Sequence, residues 1–561
     1  MHTYPWRRLG QAVATLLGVI TLIYVIQRWN STPLFLPAQY LSFMADVLRL
    51  DFGRSLAQNE AVLGVIVSRV PYTLALAGGA LLVAAAIGIP LGAALARGRR
   101  HAVAGPLSWL LLAAQSMPVF WSGILLVMVS VKLAWLPPSS AGISQLVIPA
   151  IALGLMGAAS VARITRGILL EKWSTGEVRV APVSPWWRHM SRNASGPMIS
   201  GLELSALLTG IVVIEALLAW PGLGQLAVKA VLQRDFPVVR GLALLGAMVA
   251  IILHLAVDLL QRAADPRIPA DDGITVSTGV DTLASRHPSR RPVIALAGLV
   301  LTAMVIVAIF APFIAPFDPI AQNLMGRLKP PGTMAGELHY LLGSDDLGRD
   351  LFSRLIWGAR VSLLVAFVSL ALSVVLGTLL GALAAYLRVV GLIIMRLVDV
   401  FRSVPAILLA LMTLAVIGPS LEGLIVVLVL TLWPRYARVA YARILLFRQA
   451  DVVSSSAPTE TSTAPVRRRV LPGVLGAVLL AATLDLGFVV LFESSLSFLG
   501  LGAQPPAPSW GAMLSQGANY MGSAWWIVVL PGLCLFVLVF FANLLGDALR
   551  DPAAHQHRAE R

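Results

Sequence analysis

The sequence predicts an all-α polytopic membrane protein of about 12 transmembrane helices, arranged as two parallel six-helix repeats, and three observations carry that prediction. Hydrophobic residues fill 58% of the 561 positions and charged residues only 12%, with a mean hydropathy of +0.83. A soluble globular protein carries roughly twice that share of charge, so water is not the main solvent of this chain. Apolar runs of about 20 residues recur along the whole length, and a hydrocarbon core roughly 30 Å thick needs a helix of that length to cross it. A set of glycine, proline and acidic positions also recurs, in the same order, in the two halves.

The apolar runs fall near residues 9–28, 70–96, 107–135, 146–166, 199–219 and 241–260, then 292–315, 361–386, 391–418, 420–445, 473–493 and 525–548. The third is long enough to be a broken helix. Arg7 and Arg8 ahead of the first run imitate a signal peptide, but no small-residue cleavage site follows, so the first span reads as retained.

Lys and Arg concentrate in cytoplasmic loops. With the N-terminus inside, Arg97, Arg99 and Arg100, the stretches 163–192, 262–291 and 435–469, and the tail from Arg550 all become cytoplasmic. The exception is the loop holding Arg349, Arg354 and Arg360, where Asp345, Asp346 and Asp350 offset the charge. The net charge of +15 therefore reads as topology signals between spans and excludes a nucleic-acid surface. Cys534, the single cysteine, excludes an intrachain disulfide and a cysteine metal site. A polar stretch rich in Ser, Thr, Asp and Pro divides the chain into a first half at 1–268, a cytoplasmic linker at 269–291 and a second half at 292–561.

The repeat survives residue-by-residue comparison. Thr73-Leu74 precedes Gly88 and Gly92 by the same intervals that separate Ser362-Leu363 from Gly377 and Gly381. Each Gly-x-x-x-Gly lets another helix backbone approach closely, which drives association in lipid. Ser116-Met117-Pro118 matches Ser403-Val404-Pro405, and Ala162-Arg163 matches Ala437-Arg438. Glu215 precedes Gly222-Leu223-Gly224 as Glu493 precedes Gly500-Leu501-Gly502. An even number of spans per half gives both repeats one orientation and places a substrate path between them.

The first half carries Leu50-Asp51-Phe52-Gly53-Arg54-Ser55-Leu56, Trp220-Pro221-Gly222-Leu223-Gly224 and Asp265-Pro266-Arg267-Ile268. The second carries Leu342-Gly343-Ser344-Asp345-Asp346-Leu347-Gly348-Arg349-Asp350, Gly358-Ala359-Arg360-Val361-Ser362-Leu363, Leu496-Ser497-Phe498-Leu499-Gly500-Leu501-Gly502 and Pro508-Ser509-Trp510-Gly511. In these motifs the chain resembles the paired permease subunits of dipeptide, oligopeptide and nickel importers of the ATP-binding cassette superfamily, fused in one chain. The resemblance implies a bacterial inner-membrane protein with both termini cytoplasmic. It implies two partner ATPase subunits that bind ATP and Mg, an extracytoplasmic solute-binding protein, and a peptide, opine-like or metal-chelate cargo.

The resemblance also implies that the loop between the fourth and fifth spans of each half docks on an ATPase. Glu171, Glu177, Ala181, Arg188 and Pro197 are the docking candidates in the first half, and Asp451, Ala457, Arg467 and Pro472 in the second. Both loops depart from the family: the first runs through Pro182 and Pro185 without the usual Gly, and the second is rich in Ser, Thr and Pro. Such a composition is poor in helix and offers no apolar face, so a co-adapted ATPase is expected. The first-half loop at 29–69 is also shorter than the family's.

Glu215 and Glu493, near the outer ends of their spans, are candidates to line a gate and meet a cationic substrate; the alternative is a solvated helix end. Asp258, Asp399 and Asp485 are weaker candidates, each near an inner boundary or an Arg. Gly348, Arg349 and Asp350 can receive the binding protein or form a structural turn in which Arg349 pairs with an Asp. None of the four lysines follows a glycine, so no phosphate loop is present and hydrolysis is expected on a partner. No histidines are spaced as metal ligands, and no cofactor is expected on this chain. An ion-gradient-driven secondary transporter is the competing function; its mark, paired polar ion ligands at the bilayer midplane, is missing from mostly aliphatic spans.

Overall fold

The computed structural model describes residues 3–28, 36–97, 104–133, 144–174, 204–264, 290–335, 338–454 and 464–559. A backbone in hydrocarbon must satisfy its own hydrogen bonds, and the chain does so with helices. The first half contains α1 (Thr3–Gln27), α2 (Pro37–Leu48), α3 (Val62–Arg97), α4 (Ala104–Ser116), α5 (Val119–Lys132), α6 (Ser144–Ser174), α7 (Leu204–Leu217), α8 (Leu223–Leu232) and α9 (Phe236–Ala264). The second contains α10 (Arg290–Ile309), α11 (Leu351–Tyr386), α12 (Arg388–Ser403), α13 (Ala406–Ile417), α14 (Leu421–Ser454), α15 (Ala464–Phe498), α16 (Trp510–Ala518) and α17 (Trp526–Ala559). A two-stranded antiparallel hairpin, β1 (Thr333–Ala335) and β2 (Leu338–Tyr340), interrupts the helical pattern ahead of α11.

Among the described residues nine helices are long and apolar enough to cross a membrane, and eleven spans result if each of two bent pairs is counted as one. The run expected at 199–219 is described only as the 14-residue α7, too short for a crossing by itself. The bent pairs are α4 with α5, at 103°, and α12 with α13, at 93°. Both breaks fall at the repeated Ser-x-Pro. Proline excludes the residue before it from helical geometry and has no N–H to continue the ladder, so Pro118 and Pro405 end one helix and cap the next. The break expected in the third run therefore recurs in its counterpart at 391–418, which reads as unbroken by hydropathy alone.

The repeated glycines make the tightest helix pairs. A Cβ on Gly88 would stand 2.6 Å from the Ala158 carbonyl oxygen and 2.7 Å from Val161 Cβ, so α3 lies backbone to backbone on α6. A Cβ on Gly377 would stand 2.6 Å from the Trp433 carbonyl oxygen and from Tyr436 Cβ, and Gly381 presses on Ala437, so α11 lies on α14 in the same way. Close backbone approach maximises dispersion contacts where lipid offers no hydrophobic drive.

The two halves share one continuous apolar core. Across their seam the ring of Phe120 stacks on that of Phe498 with centroids 4.9 Å apart, and Trp121 meets Phe536 at 6.2 Å. Asn543 Nδ2 donates to Ser116 Oγ at 3.1 Å beside these rings. The linker expected at 269–291 lies, apart from its last two residues, outside the described residues.

Candidate functional site

The first-half carboxylate is built where α7 ends. Glu215 is fully buried, and the chain turns back through Trp220 and Gly222 into α8. Glu215 Oε1 accepts the Thr73 hydroxyl at 2.7 Å, while Oε2 accepts the backbone N–H of Gly224 at 2.6 Å and of Gln225 at 3.3 Å. Gly222, at the N-cap of α8, has no side chain to satisfy those first N–H groups. A carboxylate borrowed from the preceding helix does it instead, where the positive end of the helix dipole favours negative charge. A Cβ at Gly222 would run into that carboxylate, which is why glycine is required there. Thr73 Oγ1 also accepts the Leu223 N–H at 2.8 Å, joining α3 to the same turn.

The second-half counterpart, Glu493, is equally buried but differently bound. Its oxygens accept Ser497 Oγ at 2.7 Å and Ser494 Oγ at 3.1 Å, both from its own helix. Ser362, the counterpart of Thr73, is buried beside the same carboxylate, but its hydroxyl makes no hydrogen bond of sound geometry. Helix α16 is capped locally, by Ser509 Oγ accepting the Ala512 N–H at 3.3 Å. Neither carboxylate is solvated, and the oxygens of both are engaged by protein donors.

Gly348, Arg349 and Asp350 belong to a buried ionic knot. Arg349 Nε pairs with Asp345 Oδ2 at 2.6 Å, and Arg354 Nη1 reaches the same oxygen. Gln516 Oε1 of α16 accepts from Arg354 at 3.2 Å, tying the loop to the end of the bundle. Asp350 caps α11 through the Ser353 N–H at 2.8 Å. Gly348 has φ of +72°, a conformation that glycine adopts without steric cost. Arg349 and Asp350 are both at most 5% exposed, so they hold the loop from within.

Asp399 and Asp485 are paired as well. Arg438 Nη2 meets Asp399 Oδ1 at 2.5 Å; Arg435 Nη1 meets Asp485 Oδ1 at 2.5 Å, and Tyr436 OH donates to Asp485 Oδ2 at 2.9 Å. Counted from the repeated motifs, Gln115 and Ser160 stand at the positions of Arg402 and Arg435, and the Gln115 amide donates to Ser160 Oγ at 3.3 Å.

Of the docking-loop candidates, Glu177, Ala181, Arg188, Pro197 and Ala457 lie outside the described residues. Glu171 falls in the last turn of α6, Asp451 in that of α14, and Arg467 and Pro472 in the first turns of α15. The roles of Thr73 and Asp345 are missed by reading along the chain, since their partners come from distant positions or from charges that merely balance on paper. The repeat itself held the one available signal for Thr73, which heads the matched segment of α3. Among the described residues, no three His, Cys, Asp or Glu side chains gather as metal ligands.

The long spans of this helical polytopic chain pair through repeated glycines, and its family matches make it a transport permease. The chain belongs to the family of binding-protein-dependent transport system inner membrane components, which matches it twice, over residues 88–269 and 373–551. Residues 289–331 match the N-terminal transmembrane domain of oligopeptide transport permease C. It is similar to the di/tripeptide transport system permease protein DppC of Pseudomonas aeruginosa, 40% identical over 46% of this chain and 86% of that protein. It is also similar to the dipeptide transport system permease proteins DppC of Escherichia coli K12, 40% identical over 47% of this chain and 90% of the relative, and of Haemophilus influenzae, 38% identical over 46% and 88%. Each relative thus matches about half of the chain, whose two family matches make it a fused two-domain inner-membrane permease of the ATP-binding cassette importer class.

Proposed function

We propose that this chain is the whole transmembrane part of an ATP-driven peptide importer, two permease subunits joined head to tail. The observation that carries the reading is the double family match within one chain, each match spanning a glycine-locked helix pair and a bent Ser-x-Pro span. In this reading each half contributes six spans, at 1–268 and 292–561, in one orientation about an axis along the membrane normal. The linker at 269–291 and both termini are cytoplasmic. Two ATPase subunits dock at the α6–α7 and α14–α15 connections, and an extracytoplasmic solute-binding protein delivers cargo.

Peptide is the cargo class because the relatives are named as peptide permeases. Glu215 and Glu493 then act on the outer gate indirectly, by holding the turns that follow α7 and α15, and do not meet cargo. The knot of Asp345, Arg349 and Arg354 sets the shape of the outer loop before α11 in the same indirect way. The test is reconstitution of the chain with its ATPase subunits and binding protein in proteoliposomes. Uptake of a dipeptide that requires ATP and ignores an ionophore supports the reading. Uptake that needs no ATPase subunit and collapses with the ionophore refutes it in favour of a secondary transporter.

A further inference from the structure

Next to the Glu215 turn, the first half encloses a polar cavity of about 200 Å³. Its wall includes Arg69 of α3, Gln225, Lys229 and Gln233 at α8, Gln58 of the preceding loop, and Asp235. Asp235 is 2% exposed and already accepts the Ser55 hydroxyl at 2.5 Å and the N–H groups of Ala57 at 3.3 Å and Val238 at 3.4 Å. Its charge is therefore spent on holding the loop. Arg69 donates once, to the Pro221 carbonyl at 3.4 Å, and Lys229 forms no ion pair among the described residues. The cavity thus offers two cationic groups and three amides against one engaged carboxylate. Donors in such excess call for an anion, and a guanidinium beside an ammonium and amides matches a carboxylate.

The second half shows what the same place looks like without that function. Gly358 occupies the position of Arg69, counted from Ser362, and Gln516, seven residues past the N-cap of α16, stands where Lys229 stands seven residues past the N-cap of α8. Trp510 fills the space: a Cβ on Gly358 would stand 2.9 Å from its ring, and its indole N–H donates to the Leu355 carbonyl at 2.9 Å. One half closes the site with an indole, and the other keeps it open and lined with cations.

Every wall residue comes from the first half, whereas a route enclosed between the halves would draw its lining from both. The ligand is accordingly a group brought from outside and not cargo in transit. We propose that the Arg69–Lys229 cavity receives an acidic side chain of the docking solute-binding protein. This deepens the importer reading and rests on it, because it requires the start of α8 to face the extracytoplasmic side.

The test uses the full chain with its ATPase subunits in nanodiscs and titrates purified binding protein against ATPase stimulation. Lys229→Ala and Arg69→Ala should each raise the half-saturating concentration about tenfold, with the maximal rate retained, while Lys229→Arg stays near wild type. Because Lys229 is exposed and holds no internal bond, its replacement leaves the fold intact even if the Arg69 variant is unstable. One Asp→Asn or Glu→Gln substitution on the binding protein should reproduce the loss and add nothing to Lys229→Ala. Unchanged half-saturation in Lys229→Ala overturns the proposal while the importer reading stands. A loss confined to uptake of a free-acid dipeptide, absent for its C-terminal amide and with docking unchanged, also overturns it, by assigning the carboxylate to cargo. A wild-type chain that no binding protein stimulates overturns the importer reading, and this proposal with it.

Discussion

Thr73 and Glu215 lie on different helices, 142 positions apart, and one hydroxyl joins them: Thr73 Oγ1 donates to Glu215 Oε1 at 2.7 Å and accepts the Leu223 N–H at 2.8 Å. Thr73→Val keeps the shape and removes both bonds, leaving a buried donor and acceptor unmatched at a cost of about 1–3 kcal/mol. Ser362→Ala in the second half removes a hydroxyl that lies beside Glu493 without a hydrogen bond of sound geometry and should cost less. Thermal unfolding in detergent reads the difference, with the lower midpoint expected for Thr73→Val.

The glycine contacts predict a position-specific pattern. Gly88→Leu and Gly381→Leu insert side chains against facing backbone carbonyls and should prevent α3–α6 and α11–α14 from closing, so that the protein is degraded or aggregates. Gly78→Ala and Gly298→Ala meet nothing within 4 Å and should be tolerated. Yield of monodisperse protein in size-exclusion chromatography distinguishes the two groups.

Asp345 neutralises two buried guanidinium groups, those of Arg349 and Arg354. Asp345→Ala leaves Arg354 without its ion pair and Arg349 with only the 3.5 Å contact to Asp346, and should cost about 3–5 kcal/mol. Arg396→Ala removes half of an exposed pair with Asp399 and should cost no more than about 1 kcal/mol. Limited proteolysis of the loop before α11 should accelerate in the first variant and not in the second.

Backbone conformation sets a further contrast. Gly348 and Gly332 have φ of +72° and +78°, so alanine is strained at both. A Cβ at Gly348 would also collide with the Asn323 carbonyl, whereas that at Gly332 meets open space. Gly348→Ala should therefore lower the unfolding midpoint clearly more than Gly332→Ala.

Much of this fold is legible in the sequence because lipid enforces it. Long apolar runs and glycine pairs at matched intervals mark which helices cross and which pairs touch. The starts of α3 and α11 are not legible in the same way. Both begin eight to ten residues ahead of the apolar runs expected at 70 and 361, since Arg69, Arg354 and Arg360 lower hydropathy in turns that are helical all the same. The break at Pro405 is hidden because the flanking residues are uniformly apolar, although the matching Ser-x-Pro at 116–118 pointed to it. For Glu215 the position at a helix end is plain, but its burial is not, because the groups that bind it come from α3 and from the turn into α8.

Two like-oriented halves that face the same side put their linker in the cytoplasm. In a Cys534→Ala background, Ser277→Cys reports on the linker and Met334→Cys on the hairpin before α11, where Met334 is 66% exposed. A membrane-impermeant maleimide added to intact spheroplasts should label the cysteine of the Met334→Cys variant at once, and that of Ser277→Cys only after lysis. Labelling of the linker in intact cells would contradict the parallel two-repeat arrangement.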